Sequence, residues 1–228
     1  MRDLAILMPS RRRPGRLSAT ITAALGLSAA DTDLIAGIDD DDPEKPGYDE
    51  LAAALRSDRR VGWRHGPRLT LGGWINKLAL EFAPQYHALA FLGDDHMART
   101  PGWDAALLTE LDRPGAILAY GDDLFQSANL PTALVIRSAV VTALGWMALP
   151  GAAHYYLDDA WKALAGPDAW FCPHVIIEHL HPDTGKSATD TTYIEAVPSW
   201  GLDEAAFRAW YDGQRETDME TARKAAAR

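Results

Sequence analysis

The chain has 228 residues and a formal net charge of -10, enough length for one domain with a substantial core and a balance that argues against nucleic acid as the main partner, because phosphate-binding proteins present a basic face. A single cysteine, Cys172, excludes an intramolecular disulfide and a multi-thiolate metal site. No segment has the length of a membrane span, and Met1-Arg2-Asp3 leads directly into strand-like sequence without the apolar stretch of a signal peptide, so a cytoplasmic location is expected.

Leu4-Ala5-Ile6-Leu7-Met8-Pro9 is a continuous apolar run of the kind that forms a strand buried on both faces. The basic loop Ser10-Arg11-Arg12-Arg13-Pro14-Gly15-Arg16 follows, then Leu17, Ile21 and Leu25 at helical spacing with Gly26 as the expected C-cap. Arginines between a strand end and a helix start can grip a diphosphate, and they can equally be a solvated surface loop. Asp33 to Ile38 predicts a second strand, running into Asp39-Asp40-Asp41-Asp42-Pro43. Those carboxylates suit either a solvated loop or acceptors for a nucleobase or ribose. Tyr48, Leu51 and Leu55 mark a helix, Val61-Gly62-Trp63 a short strand, and Trp74, Leu78 and Phe82 another helix. Lys77 lies off that last stripe, where it could reach a phosphate or simply be solvated.

His87-Ala88-Leu89-Ala90-Phe91-Leu92 predicts a central strand that ends at Gly93-Asp94-Asp95-His96. Ligands of open α/β sheets bind outside the carboxyl ends of strands, so these side chains stand where a site is expected. Carboxylates suit Mg²⁺ or Mn²⁺, and His96 favours a transition metal; a cap or solvated turn is the plainer reading. Trp103, Leu107 and Leu111 give a helix, and Ala116 to Tyr120 and Thr132 to Arg137 two more strands. The alternation implies an α/β fold, a mainly parallel central sheet with helices on both faces. Asp158 and Asp159 open the short helix of Ala160 to Ala165, where one of them is expected to cap it. Val175 to Pro182 is strand-like and sends His179 and His181 to one face, able to share a metal or serve the core. From Leu202 the chain reads as a charged, Ala-rich peripheral helix fraying at Arg223 to Arg228. The expected organisation is one domain over 1–200 and a C-terminal helical extension over 201–228.

In this order the motifs resemble the GT-A fold glycosyltransferases, especially the inverting family-two type. The resemblance covers roughly residues 4–182. It rests on Met8-Pro9-Ser10-Arg11-Arg12-Arg13-Pro14, on the acidic end of the second strand, on Leu92-Gly93-Asp94-Asp95-His96 with Pro101-Gly102-Trp103, and on Asp158-Asp159-Ala160-Trp161. Gly93 departs from it, standing where the family often has the first Asp of its metal motif. The Gln-x-x-Arg-Trp motif of processive synthases is missing.

The resemblance implies transfer of a sugar from a nucleotide-sugar donor to an acceptor hydroxyl, with inversion and with Mn²⁺ or Mg²⁺ as cofactor; the acceptor is not named by it. It implies a donor site at Pro9, Ser10, Arg11, Arg13, Asp39, Asp41 and Asp94, which Lys77 could join from its helix, and a metal on Asp95 and Asp94; the shared face of His179 and His181 leads to the expectation that one of them completes the metal or diphosphate site. It places the general base at Asp159, with Asp158 as cap or acceptor-binding partner. A sugar-phosphate nucleotidyltransferase is a rival, weakened by the missing glycine-rich first loop. A non-catalytic nucleotide- or glycan-binding relative is another.

Overall fold

The first apolar run becomes β1 (Arg2–Ser10), and Leu4 to Ser10 are all buried because neighbours flank this strand on both edges and helices cover both faces. The computed structural model describes residues 1–227. In chain order there follow α1 (Pro14–Gly26), β2 (Thr32–Asp39), α2 (Lys45–Ala54), β3 (Val61–Gly66), α3 (Leu71–Phe82) and β4 (Tyr86–Phe91). Next come β5 (His96–Ala98), α4 (Trp103–Leu111), β6 (Leu118–Asp122), β7 (Leu134–Arg137), α5 (Ser138–Leu144), α6 (Leu157–Ala165) and β8 (Ala169–His179). The chain closes with α7 (Thr191–Ala196), α8 (Trp200–Gly213) and α9 (Arg215–Ala226).

Among the described residues the strands form one eight-stranded sheet in the order β3-β2-β1-β4-β7-β6-β8-β5. The pairs β1/β2, β1/β4, β2/β3 and β6/β8 are parallel, as the alternation of strands and helices predicts. β7 runs antiparallel to both β4 and β6. The link from Asp122 to Leu134 holds only a short 3-10 turn, and a parallel return needs a longer crossover. Side-chain alternation along β1 divides the core. Leu4, Ile6 and Met8 join α1, α2 and α4 on one face, while Ala5 and Leu7 join α3, α5, α6 and the C-terminal helices on the other. Full burial of each large aliphatic side chain contributes about 1.5–3 kcal/mol.

Two expectations are corrected, and one strand is added. α1 ends on Leu27, whose N–H bonds to Ala23, rather than capping at Gly26. β5 was not legible as a strand, since three residues carry no periodicity; pairing with β8 makes it one. The tail does not fray over Arg223 to Ala226: Ala222, Ala225 and Ala226 are buried in the same core as Trp210, and Arg223 meets Asp168 at 2.8 Å. The small alanine faces let α9 approach α5 and α6 closely, which a composition reading takes for a solvated helix. Arg228 lies outside the described residues.

Candidate functional site

The carboxyl ends of β1, β2 and β4 open on the same side of the sheet, and the segment after β8 crosses over them. Asp94 and Asp95 follow β4 and are both buried, but they face different partners. Asp94 accepts from the Ser10 hydroxyl at 2.6 Å and from Arg13 at 3.0 Å. Asp95 instead faces His96, whose Nδ1 lies 3.3 Å away, and His179, whose Nε2 lies 3.6 Å away, and it accepts from the Tyr193 hydroxyl. Burial and the adjacent carboxylate push Asp94 up to about 6 against the pull of Arg13 and Ser10. Burial resists ionising Asp95 as well, but its imidazole and tyrosine neighbours hold it well below the usual carboxylate range. Asp95 is therefore the stronger acid of the pair.

The register of β5 against β8 sets His96 opposite His179, and the two rings stack with centroids 4.0 Å apart. Asp95, His96 and His179 each offer a ligand atom within 4.8 Å of the others. Nε2 of His96 and Nδ1 of His179 are buried without a hydrogen-bond partner among the described residues. Burial, aided by the neighbouring His96, pushes His179 down to about 3, so it is neutral, the form that ligates metals. A buried carboxylate with two imidazoles fits a divalent transition ion. Gly93 belongs to the same arrangement. A Cβ there would meet Asp95 Oδ1 at 2.6 Å and His96 Nδ1 at 2.8 Å, so His96 fills the space that a side chain at 93 would take.

The other residues singled out in the sequence are distributed unevenly. Asp94 is tied to Arg13 and does not join the metal-competent cluster. His181 stands beside it, edge-on to His179 at 5.1 Å, stacked on Phe125 and accepting the Asp183 N–H. Pro9 is buried at the end of β1. Arg11 pairs with Asp39 at 2.9 Å and with the exposed Asp41 at 3.0 Å. Asp39 is also taken by the Trp74 indole and the Leu69 N–H, so its acceptor positions serve the fold itself. The Asp39 to Asp42 turn is thus ordered, with Asp42 accepting from the Arg12 and Glu44 amides, rather than a solvated run. Lys77 is exposed and lies over the Trp74 ring, 4.5 Å from its centroid.

The segment carrying α7 covers this region. Asp190 takes two 2.7 Å hydrogen bonds from Arg13, Thr192 donates to the Arg11 carbonyl, and Glu195 lies 3.1 Å from Arg12 and from Arg68. Arg13 also lies over the Tyr193 ring at 4.5 Å. The sequence marked Asp190 only as part of a polar loop and did not single out Tyr193 or Glu195, because nothing local connects them to residues near the N-terminus.

Asp158 and Asp159 lie in the first turn of α6, but neither caps it. The N-cap is Tyr156, a non-glycine residue at φ 62°, with no side-chain cap; such a backbone costs about 1–2 kcal/mol. The capping expectation is corrected because the N-cap falls at Tyr156, two residues before Asp158. The two carboxylates differ. Asp158 lines a cavity of about 10 Å³ whose other walls include Ile75, Phe91, Leu134 and Trp161, so it looks toward the end of β4. Burial, with Asp159 and Asp123 nearby, holds its acid well above the usual range. Burial also raises Asp159, opposed by Lys162. Cys172, 2% exposed, is pushed up to about 11 by burial and stays a protonated core thiol.

No family model matches the sequence, and no curated protein matches it significantly. Solved structures do match. A mannosyltransferase from Pyrobaculum calidifontis, solved with GDP-Man and Mn²⁺, superposes with a TM-score of 0.62 over 99% of this chain and 76% of its own, at 10% identity. The fold is the GT-A fold. TarS of S. aureus aligns with a TM-score of 0.60 at 8% identity, over 98% of this chain and 90% of its own. Glucosyl-3-phosphoglycerate synthase from Mycobacterium tuberculosis, solved with Mn²⁺, UDP and phosphoglyceric acid, reaches 0.63 at 13% identity, over 93% of this chain and 79% of its own. Among the described residues no helix is long and apolar enough to cross a membrane.

Proposed function

We propose that this chain is a glycosyltransferase of the hexosyltransferase type, moving a sugar from a nucleotide-sugar donor to an acceptor hydroxyl with inversion. The observation that carries the reading is the Asp95, His96 and His179 cluster on a GT-A sheet, with Asp158 in an apolar cavity beside the end of β4. Asp95, His96 and His179 would hold Mn²⁺ or Mg²⁺, the imidazoles favouring Mn²⁺. A bound divalent ion supplies charge neutralisation for the diphosphate leaving group.

The chain's own residues do the rest. Arg11 and Arg13 bind the donor's anionic groups, which requires the Asp190 and Glu195 carboxylates to give way. Asp94, fixed by Ser10 and Arg13, holds Arg13 in place from below. Asp158 accepts the acceptor hydroxyl's proton as that oxygen attacks the anomeric carbon and the C–O bond to the nucleoside diphosphate breaks. A base whose proton affinity is raised by burial is suited to that task near neutral pH. This revises the sequence-based assignment of the base to Asp159, whose charge is partly compensated by Lys162. A cytoplasmic location belongs to the same reading, supported by a sequence whose single cysteine cannot form an intramolecular disulfide.

Thermal shift with UDP-glucose and GDP-mannose, with and without Mn²⁺, tests the reading, since a ligand at a hundred times its Kd stabilises by about 2.7 kcal/mol. The expected result is metal-dependent stabilisation by at least one donor, with slow release of its nucleoside diphosphate. Pyrophosphate release would identify nucleotidyl transfer instead. Binding of a nucleotide with no turnover of any donor would identify a non-catalytic relative.

A further inference from the structure

Asp203 on α8 is 1% exposed, and its carboxylate faces a stretch of chain some fifty residues earlier. Oδ1 accepts the Ala153 N–H at 2.8 Å, and Oδ2 accepts the N–H groups of His154 at 2.9 Å and Tyr155 at 2.8 Å. The Ser199 hydroxyl adds a fourth donor at 2.9 Å. Three consecutive amides turned toward one carboxylate belong to no regular element, so without it they would be left without a partner in the protein. Burial favours the neutral acid, but these donors hold Asp203 below its usual range, so it is ionised.

The next residue is Tyr156, whose left-handed backbone starts α6. Its ring stacks on Phe207 at 5.3 Å and meets Trp200 edge-on at 5.4 Å, while Trp200 also meets Tyr155 at 4.7 Å. Trp200, Asp203 and Phe207 recur at helical spacing, so one face of α8 holds four successive residues, 153–156. Asp158 follows two residues later. The same segment is tied to α3, because Ala153 accepts the Gly72 N–H at 2.9 Å and a Cβ on Gly72 would meet the Ala152 carbonyl oxygen at 2.5 Å. It also walls a cleft of about 230 Å³ against α3.

We propose that Asp203 is a positioning residue for the chemistry: it fixes residues 153–155, thereby the left-handed start of α6 at Tyr156, and through it the carboxylate of Asp158. The catalytic half of this inference rests on Asp158 being the base; the structural half does not. α8 is therefore part of the active-site architecture and not an appendage of the fold.

The test uses the full chain with Asp203→Ala and Asp203→Asn, the latter keeping the volume and one acceptor oxygen. Hydrogen exchange is read at residues 153–155, Ala160 and Trp161, and Mn²⁺-dependent hydrolysis of UDP-glucose or GDP-mannose gives kcat and KM. Expected for Asp203→Ala are exchange at those amides at least tenfold faster with the β1 to β4 strands unchanged, and kcat at least tenfold lower with donor KM within twofold. Asp203→Asn should fall between it and the wild type, and it carries the test if the alanine variant does not fold. Unchanged exchange overturns the inference. So does faster exchange with kcat per folded molecule intact, or kcat and donor affinity lost together. If the wild type hydrolyses neither donor, exchange alone decides whether Asp203 fixes α6.

Discussion

Arg13 and Asp190 stand 177 positions apart in the chain and are joined by two hydrogen bonds of 2.7 Å, from Nε and Nη2 to the two carboxylate oxygens. The remaining guanidinium nitrogen, Nη1, reaches Asp94. One arginine thus links the end of β4 to the segment that crosses over the site.

Asp190 and a phosphate would compete for the same guanidinium fork. Asp190→Ala should bind nucleoside diphosphate with Mn²⁺ at least about threefold more tightly, roughly 0.7 kcal/mol, by calorimetry. Its melting temperature should fall, modestly because Asp190 is one-third exposed. Affinity that is unchanged or weaker would show that the segment does not compete with the ligand.

Gly93 leaves room that Asp95 and His96 use. Gly93→Ala forces both side chains to shift, so Mn²⁺ affinity should drop by about tenfold, ~1.4 kcal/mol. Equal affinity in the variant would mean that this cluster does not hold the ion.

The two strand-end histidines should separate in the same assay. His179→Ala removes a member of the cluster and should cost about tenfold or more in Mn²⁺ affinity, whereas His181→Ala, outside it, should stay within about threefold. The reverse order would move the ligand to His181.

Asp158→Asn should lower turnover by about a hundredfold or more, and Asp159→Asn by less than about tenfold. If Asp159→Asn is the more damaging, the base is Asp159.

Asp158 also makes a prediction for stability. Its folded-state acid is raised above the unfolded value of about 3.9. The stability it contributes is therefore fully present below that value and is lost as pH rises through the folded one. Near neutral pH the side chain lowers stability because the unfolded chain ionises it freely while the folded site resists the charge, and Asn carries no such cost. Asp158→Asn should melt higher than wild type at pH 7, and the gap should close toward about pH 4. A gap that is the same at both pH values would show that Asp158 is not held in an unfavourable charged state.

Sequence alone determined the α/β alternation, because burial on both faces leaves continuous apolar runs such as Leu4 to Met8, and helices leave stripes such as Trp74, Leu78 and Phe82. It also marked Asp94-Asp95-His96 at the end of the central strand and the acidic pair at the start of α6. Tertiary structure decided what those residues face. The β5 to β8 register selects His96 and His179 as partners of Asp95 and diverts Asp94 to Arg13. The start of α6 at Tyr156 turns Asp158, not a capping side chain, toward the sheet. Asp203, Asp190 and Tyr193 act on segments fifty to nearly two hundred residues away. Periodicity records which face of a local element is buried, but contacts between distant carboxylates and amides or guanidiniums exist only once strand order and register have brought them together.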